Sequence, residues 1–280
     1  MENKSTLTFN CSVQNKENLK VIKDPFQILP STVRHLSENT IKSYPKVDNP
    51  NLLIHMNYIT RVYNDNAIEN RSIERFSLKS YKLLADILNT KDILIHLPYT
   101  EKEIVNLEYG IKIIKDELLN KNINVHFEIP AWSKGMFIKN RINQHSASPY
   151  CYMALTKHID EVFSLLKDTN SYLVPDTAHL HSNGLDAKDM IELIKKYDDK
   201  IKYIHLNGNS VTRFKMDNHT PMFSVNNRIV NHELLSSEVA KMGKICIAEI
   251  TKETSDWKSW VNYTQKYNFK LVDFNEYYTI

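Results

Sequence analysis

Tyr172-Leu-Val-Pro-Asp-Thr-Ala-His-Leu-His181 opens as a short apolar strand and runs out of apolar residues at Asp176. His179 follows three residues later, and His181 comes after it. A carboxylate at a strand end with an imidazole in the next turn is a common way to assemble metal ligands. Alone the pattern is weak, because Asp is frequent after strands and an isolated loop His is usually solvated. Its weight depends on whether other strand ends repeat it.

On either side of this stretch, short runs rich in Ile, Leu, Val and aromatic residues alternate with longer helical patterns. The strand candidates are Leu7–Ser12, Phe26–Leu29, Leu52–His55, Ile93–His96, Asn124–Glu128, Tyr172–Asp176, Lys202–Asn207 and Lys244–Glu249. Apolar residues at helical spacing predict helices over Arg71–Leu88, Glu101–Lys121, Tyr152–Leu166, Ala187–Tyr197 (behind a capping Asp186), His232–Met242 and Ser255–Tyr267. Runs buried on both sides and followed by helices predict a parallel sheet. Eight of them predict a closed (β/α)8 TIM barrel, an α/β fold, rather than an open doubly wound sheet. No Gly-rich loop follows any strand, which argues against a nucleotide cofactor. No linker or low-complexity segment divides the chain, so residues 1–280 read as a single domain.

Composition agrees with an ordinary globular protein: 280 residues, 42% hydrophobic and 25% charged. A net charge of +3 is compatible with a polyanionic partner without requiring one. Cys11, Cys151 and Cys246 are odd in number and widely spaced, so they form neither a disulfide framework nor a zinc knuckle. A reducing compartment is the natural expectation. Met1-Glu2-Asn3-Lys4-Ser5 carries no apolar signal region, and no run approaches the roughly 18 apolar residues of a membrane helix. The expectation is a soluble intracellular protein of cytoplasm or nucleus, with no membrane partner.

The strand ends repeat the pattern. Leu52–His55, Ile93–His96 and Tyr203-Ile-His205 end in His; Val125-His-Phe-Glu128 and Ile245-Cys-Ile-Ala-Glu249 end in Glu; Leu173-Val-Pro-Asp176 ends in Asp. In a barrel these ends converge on one face, where active sites sit. Gathering three carboxylates and three imidazoles without a cation is costly through desolvation and like-charge repulsion. Bound divalent metal resolves this, and imidazole with carboxylate but no thiolate fits Zn2+ first, with Mn2+ or Fe as substitutes. Loops add His179 and the pair Asp217-Asn-His219. The ligand candidates are therefore His55, His96, Glu128, Asp176, His179, His205, Asp217, His219 and Glu249. Nine ligands exceed what one or two ions usually take, so three ions are expected. His35, His145, His158 and His232 read as ordinary loop or helix residues. His126 shares the strand parity of Glu128 and is expected to point inward beneath the site. His181 stays outside the ligand set.

These nine residues, in this order, resemble the endonuclease IV family of apurinic/apyrimidinic (AP) endonucleases. The local strings agree: Ile95-His96-Leu-Pro-Tyr, Phe127-Glu128, Asp176-Thr-Ala-His179, His205-Leu-Asn207 followed by Asp217-x-His219, and Ala248-Glu249. The resemblance spans roughly residues 50 to 250, and Phe26-Gln-Ile-Leu29 extends it toward the N-terminus. It implies a barrel holding three zinc ions at the C-terminal ends of its strands. By position, His55, His96 and Glu128 would hold one ion. Glu128, Asp176, His205 and Glu249 would hold a second, and His179, Asp217 and His219 a third. It implies hydrolysis of duplex DNA on the 5′ side of an abasic site to leave a 3′-hydroxyl, with trimming of blocked 3′ ends in many members. Divalent metals suit that reaction, since they stabilise charge on the attacking, leaving and equatorial oxygens. Glu249 and Glu128 are the catalytic candidates, Glu249 as the group that orients the attacking water.

For DNA binding the resemblance points to Tyr58, three residues after His55, and to Arg34. Both fit a wedge where a nucleotide leaves the helix. Asn207, Arg213, Lys134, Lys139 and Arg141 fall in loops on the same predicted face, where they are candidates for phosphate contact. A monomer is expected. Three departures from the family pattern bear on DNA contacts rather than ligands. Cys11-Ser12-Val13-Gln14 stands where the family has a glycine-rich turn. Thr220-Pro-Met-Phe-Ser-Val replaces a Gly-Glu-Gly segment, and the loop from Pro130 to Pro149 looks specific to this chain. Such departures resemble those of AP endonucleases from large DNA viruses, which would add the virion to the expected locations. The competing readings are a metal-dependent sugar isomerase or epimerase of the xylose isomerase-like barrels, and a non-catalytic DNA-binding relative. The first leaves Asp217 and His219 without a role, and the second predicts lost ligands where none is lost.

Overall fold

The computed structural model describes residues 4–12, 19–20, 23–30, 36–47, 49–56, 75–96, 104–131, 156–213, 218–249 and 257–272. In chain order the elements are β1 (Thr6–Ser12), β2 (Phe26–Leu29), α1 (Glu38–Lys42), β3 (Leu52–His55), α2 (Arg75–Ile87), β4 (Asp92–His96), α3 (Ile104–Glu117), β5 (Asn124–Glu128), α4 (Thr156–Leu165), β6 (Ser171–Val174), α5 (Thr177–Ser182), α6 (Ala187–Lys196), β7 (Tyr203–His205), β8 (Gly208–Asn209), β9 (His219–Thr220), α7 (His232–Ala240), β10 (Ile245–Ala248), α8 (Trp257–Tyr267) and β11 (Lys270–Leu271). The strand order β6-β5-β4-β3-β2-β1-β10-β7 sets each of eight strands beside its neighbours in the alternating series, with helices between. This is the order of a (β/α)8 barrel, the fold expected.

The chain forms two compact units. The unit of residues 12–130 and 143–172 contains β2 to β5, paired in parallel with Ile54 beside Ile93 and His96 beside Glu128. All five residues of β4 are buried, and Val125 and Phe127 of β5 are fully buried. Strands covered on both faces have no polar side to show, which is why these runs read as continuous apolar segments. Helix α2 turns Leu78, Tyr81, Leu84 and Ala85 inward, and all four are fully buried.

The unit of residues 1–11, 131–142 and 173–280 contains β7, β10 and most of β1, parallel, with Thr6 beside Ile245 and His205 beside Ile247. Its core is aromatic: Trp260 is 1% exposed and meets Phe9 and Phe223 edge-on at 5.1 and 4.7 Å. Helix α6 begins in a capping box, with Asp186 accepting from the Asp189 backbone and Asp189 accepting from that of Asp186.

Three local features differ from the sequence reading. Strand β6 ends at Val174, so Pro175 lies beyond it and its missing N–H interrupts no ladder; its carbonyl instead accepts from His205 N–H at 3.0 Å. The residues after Asp176, read as a turn, form the helix α5. The segment after His205, read as loop, contains the antiparallel pair β8–β9.

Candidate metal centre

In the first unit the β4–β5 register puts His96 directly beside Glu128 on one face. His96 Nε2 lies 3.0 Å and His55 Nε2 3.2 Å from the same carboxylate oxygen, Glu128 Oε2. The two imidazole nitrogens are 3.4 Å apart. Glu128 is completely buried and His96 is 8% exposed. Two ring nitrogens and a carboxylate oxygen thus converge in a region with little water. Beneath them His126, fully buried, places Nε2 2.8 Å from Asp92 Oδ1 and stacks on Tyr172. The inward orientation expected from its parity is observed, and its partner is a carboxylate deeper in the strand layer.

In the second unit Asp176 is fully buried and serves two ends. It is the N-cap of α5, its Oδ1 accepting from His179 N–H at 2.9 Å. Capping fixes the first turn of α5 and so fixes where His179 emerges. Ligand atoms of Asp176, His179 and His219 lie within 4.8 Å of one another. His205, fully buried, has Nδ1 3.1 Å from Glu249 Oε2 and 3.6 Å from Asp176 Oδ2. His219 Nε2 is 3.7 Å from Asp176 Oδ2, and its Nδ1 is 3.8 Å from Glu249 Oε2. The Glu249 side chain is 10% exposed, whereas that of Asp176 is 0% exposed.

The donor chemistry fits divalent metal. Oxygen and imidazole nitrogen atoms, buried and facing one another without a thiolate, are the donors Zn2+ and Mn2+ accept. Eight of the nine ligands expected from the sequence lie in one or other of these sets. The ninth, Asp217, lies outside the described residues, as do Tyr58, Arg34, Lys134, Lys139 and Arg141.

Asn207, expected to face DNA, is 1% exposed. Its Nδ2 donates to Asp176 Oδ2 at 2.8 Å and its Oδ1 accepts from Glu249 N–H at 2.8 Å, so both ends of the amide are engaged inside the protein. Arg213 is partly buried, and its charge acts on Asp186 and on His181. His181 Nε2 donates to the Val211 carbonyl at 3.1 Å. Burial holds the His181 pKa below its ordinary value, with that hydrogen bond acting in the opposite sense and Arg213 reinforcing the decrease.

The sequence reading missed the ordered segment after His219. Asn227 organises it: Oδ1 accepts from the N–H groups of Asn209 and Ile229, and Nδ2 donates to the Met222 carbonyl. The segment presents Val225, 96% exposed, and an exposed Arg228. The signal available was Asn226-Asn227, an Asx-turn pair directly after an isolated apolar residue.

No family model and no curated protein matches the chain. Solved structures do. Endonuclease IV from Thermus thermophilus superposes with a TM-score of 0.62 at 15% identity, over 93% of this chain and 99% of that one. A D-tagatose 3-epimerase-like protein gives 0.56 at 14% identity, over 93% and 98%. The IOLI protein, whose structure holds a zinc atom, gives 0.52 at 13% identity, over 100% of both chains. At such identities the likeness is one of fold: the chain adopts the (β/α)8 barrel found in endonuclease IV, in an epimerase-like protein and in a zinc-holding one.

Proposed function

We propose that this protein is a zinc-dependent phosphodiester hydrolase that cuts duplex DNA on the 5′ side of abasic sites. The observation that carries the reading is the Asp176–His179–His219 set, present in addition to the His55–His96–Glu128 and His205–Glu249 groups. A sugar isomerase or epimerase needs one or two metal ions and leaves the His179–His219 group unused. Three ions on the nine residues give each group a purpose.

Bound metal would neutralise phosphate charge, stabilise the leaving 3′-oxygen and make water acidic enough to react near neutral pH. The protein's own share follows from burial and contact. His55, His96 and Glu128 would hold one ion; Asp176, His205, His179, Asp217, His219 and Glu249 would complete the others. Glu249 is the carboxylate suited to orient the attacking water and pass its proton outward, because its side chain retains solvent contact while that of Asp176 does not. Asp176 instead fixes the spacing between the ligands at the end of β6 and the start of α5. Tyr58 and Arg34 are proposed to engage the DNA at the lesion, and Arg213 to meet a phosphate.

Metal content and substrate choice together test this. The zinc-loaded protein is expected to carry close to three zinc ions per chain and to act on an abasic duplex but not on ketohexoses. One or two ions with interconversion of a ketohexose would establish the epimerase reading instead.

A further inference from the structure

His205, Asn207 and Asn209 alternate along the chain where β7 runs into β8, and all three are buried, at 0%, 1% and 0% exposure. Only His205 is a ligand candidate. The two asparagines have a different environment. A buried primary amide has two donors and a carbonyl to satisfy, and it persists in a core only where partners meet it.

Both ends of the Asn207 amide are engaged. Glu249 N–H can only donate, so Oδ1 faces it at 2.8 Å, which leaves Nδ2 for Asp176 Oδ2 at 2.8 Å. The orientation of the amide is therefore dictated by its neighbours. Thr177 fixes the backbone of the same residue: its hydroxyl donates to the Asn207 carbonyl at 2.5 Å and accepts the Asn207 N–H at 2.9 Å. Both Asp176 oxygens are thus held by protein donors, Oδ1 by His179 N–H and Oδ2 by Asn207.

Asn209 does the same one step along. Its Nδ2 donates to the Ala178 carbonyl and to Ser182 Oγ, at 3.0 and 3.1 Å, on α5. Its Oδ1 accepts from Val211 N–H and Asn218 N–H, at 3.0 and 3.3 Å. It ties the helix that carries His179 to the segment that carries His219.

We infer that Asn207 and Asn209 are the positioning residues of this metal centre: Asn207 sets the distance between Asp176 and Glu249, and Asn209 sets that between His179 and His219. The inference rests on the metal-centre reading above. Neither residue touches metal in this scheme. Each holds ligands in a binding arrangement before metal arrives, so its loss is felt in metal affinity as well as in stability.

The test is zinc affinity by chelator competition, with hydrogen exchange at the Glu249 amide in metal-free protein. Asn207→Ala and Asn209→Ala are expected to weaken zinc binding by about 10–100-fold, the usual effect of losing a group that orients a ligand. Asn207→Ala should also remove protection from the Glu249 amide. Asn207→Leu keeps the side-chain volume while deleting both hydrogen bonds, and it carries the test if the alanine variant does not fold. Ser236→Ala is the control: Ser236 is buried in the same unit and bonds the His232 carbonyl and Tyr263, so its loss should lower stability and leave zinc affinity unchanged. Folded Asn207→Leu and Asn209→Ala proteins that bind zinc as the parent does would overturn the inference alone. A parent protein that binds no zinc would overturn the metal reading and this inference with it.

Discussion

Replacing Asp176 removes a group with two separable duties. In metal-free protein Asp176→Ala deletes the N-cap of α5, worth about 1 kcal/mol. It also leaves the Asn207 amide without its buried acceptor, worth about 1–3 kcal/mol. Together these predict a loss of about 2–4 kcal/mol, which for a chain of this size is about 3–7 °C in Tm. Asp176→Asn separates the duties. Its amide oxygen can still accept His179 N–H, but its NH2 would then face the NH2 of Asn207, so a cost of about 1–3 kcal/mol remains. Zinc provides the second reading. A ligand that binds only the folded state at a hundred times its Kd adds about 2.7 kcal/mol per site. The parent should therefore melt higher in zinc than in chelator, and both variants should lose much of that difference along with bound zinc. The assay is a pair of thermal melts with metal analysis of the same samples. A variant that keeps the parent's full zinc content and full zinc-dependent rise in Tm would refute the assignment of Asp176 as a ligand.

Other consequences concern the surroundings of the site. A Cβ on Gly208 would come within 2.8 Å of the Pro221 carbonyl oxygen and 2.9 Å of Asn227 Cγ and Thr220 Oγ1. Gly208→Ala should therefore displace the β8–β9 pair, cost about 1–3 kcal/mol as overpacking does, and weaken zinc binding through His219; normal zinc affinity would contradict that coupling. Because the folded-state pKa of His181 lies below its unfolded value, the unfolded chain takes up the proton first as pH falls through about 6.5. Stability conferred by His181 is thus present above that pH and is lost as pH falls toward the folded pKa. Denaturant midpoints of chelator-treated His181→Gln should fall less than the parent's between about pH 7.5 and 5.5. Burial pushes the Cys246 thiol far above its ordinary pKa, despite an opposing hydrogen bond with Ser5. In a Cys11→Ser, Cys151→Ser background it should resist thiol reagents until the protein unfolds, and rapid modification of native protein would show that it is accessible.

The strands were legible because their side chains are buried on both faces, so β2, β3 and β5 appear in the sequence as bounded apolar runs with the same limits as in the structure. Candidate ligand positions were legible for a related reason. A polar residue that ends such a run is placed by the strand itself, as His96 and Glu128 are by their shared register. What stayed hidden depends on contacts between segments distant in sequence. Asn207 looked like a loop residue suited to phosphate, and only the arrival of Asp176 and Glu249 on either side turns its amide into an internal brace. Helix α5, six residues long, offers too little periodicity to be told from a turn. Pro175 lies inside the strand expected over Tyr172–Asp176, whereas the observed strand ends at Val174. The segment around Val225 takes its order from Asn227 bonds that no local pattern reveals.

If bound metal and Glu249 act on a DNA phosphodiester as proposed, strand incision of a duplex carrying one abasic-site analogue reports it directly. Zinc-loaded protein is expected to cut on the 5′ side of the lesion and leave a 3′-hydroxyl, with no cutting after zinc is stripped. Glu249→Gln should slow the cut by about 10²–10⁴-fold, as loss of a proton-transfer group does. No incision by protein shown to carry its zinc would rule out the proposed nuclease activity, and a Glu249→Gln variant as fast as the parent would rule out the role of Glu249.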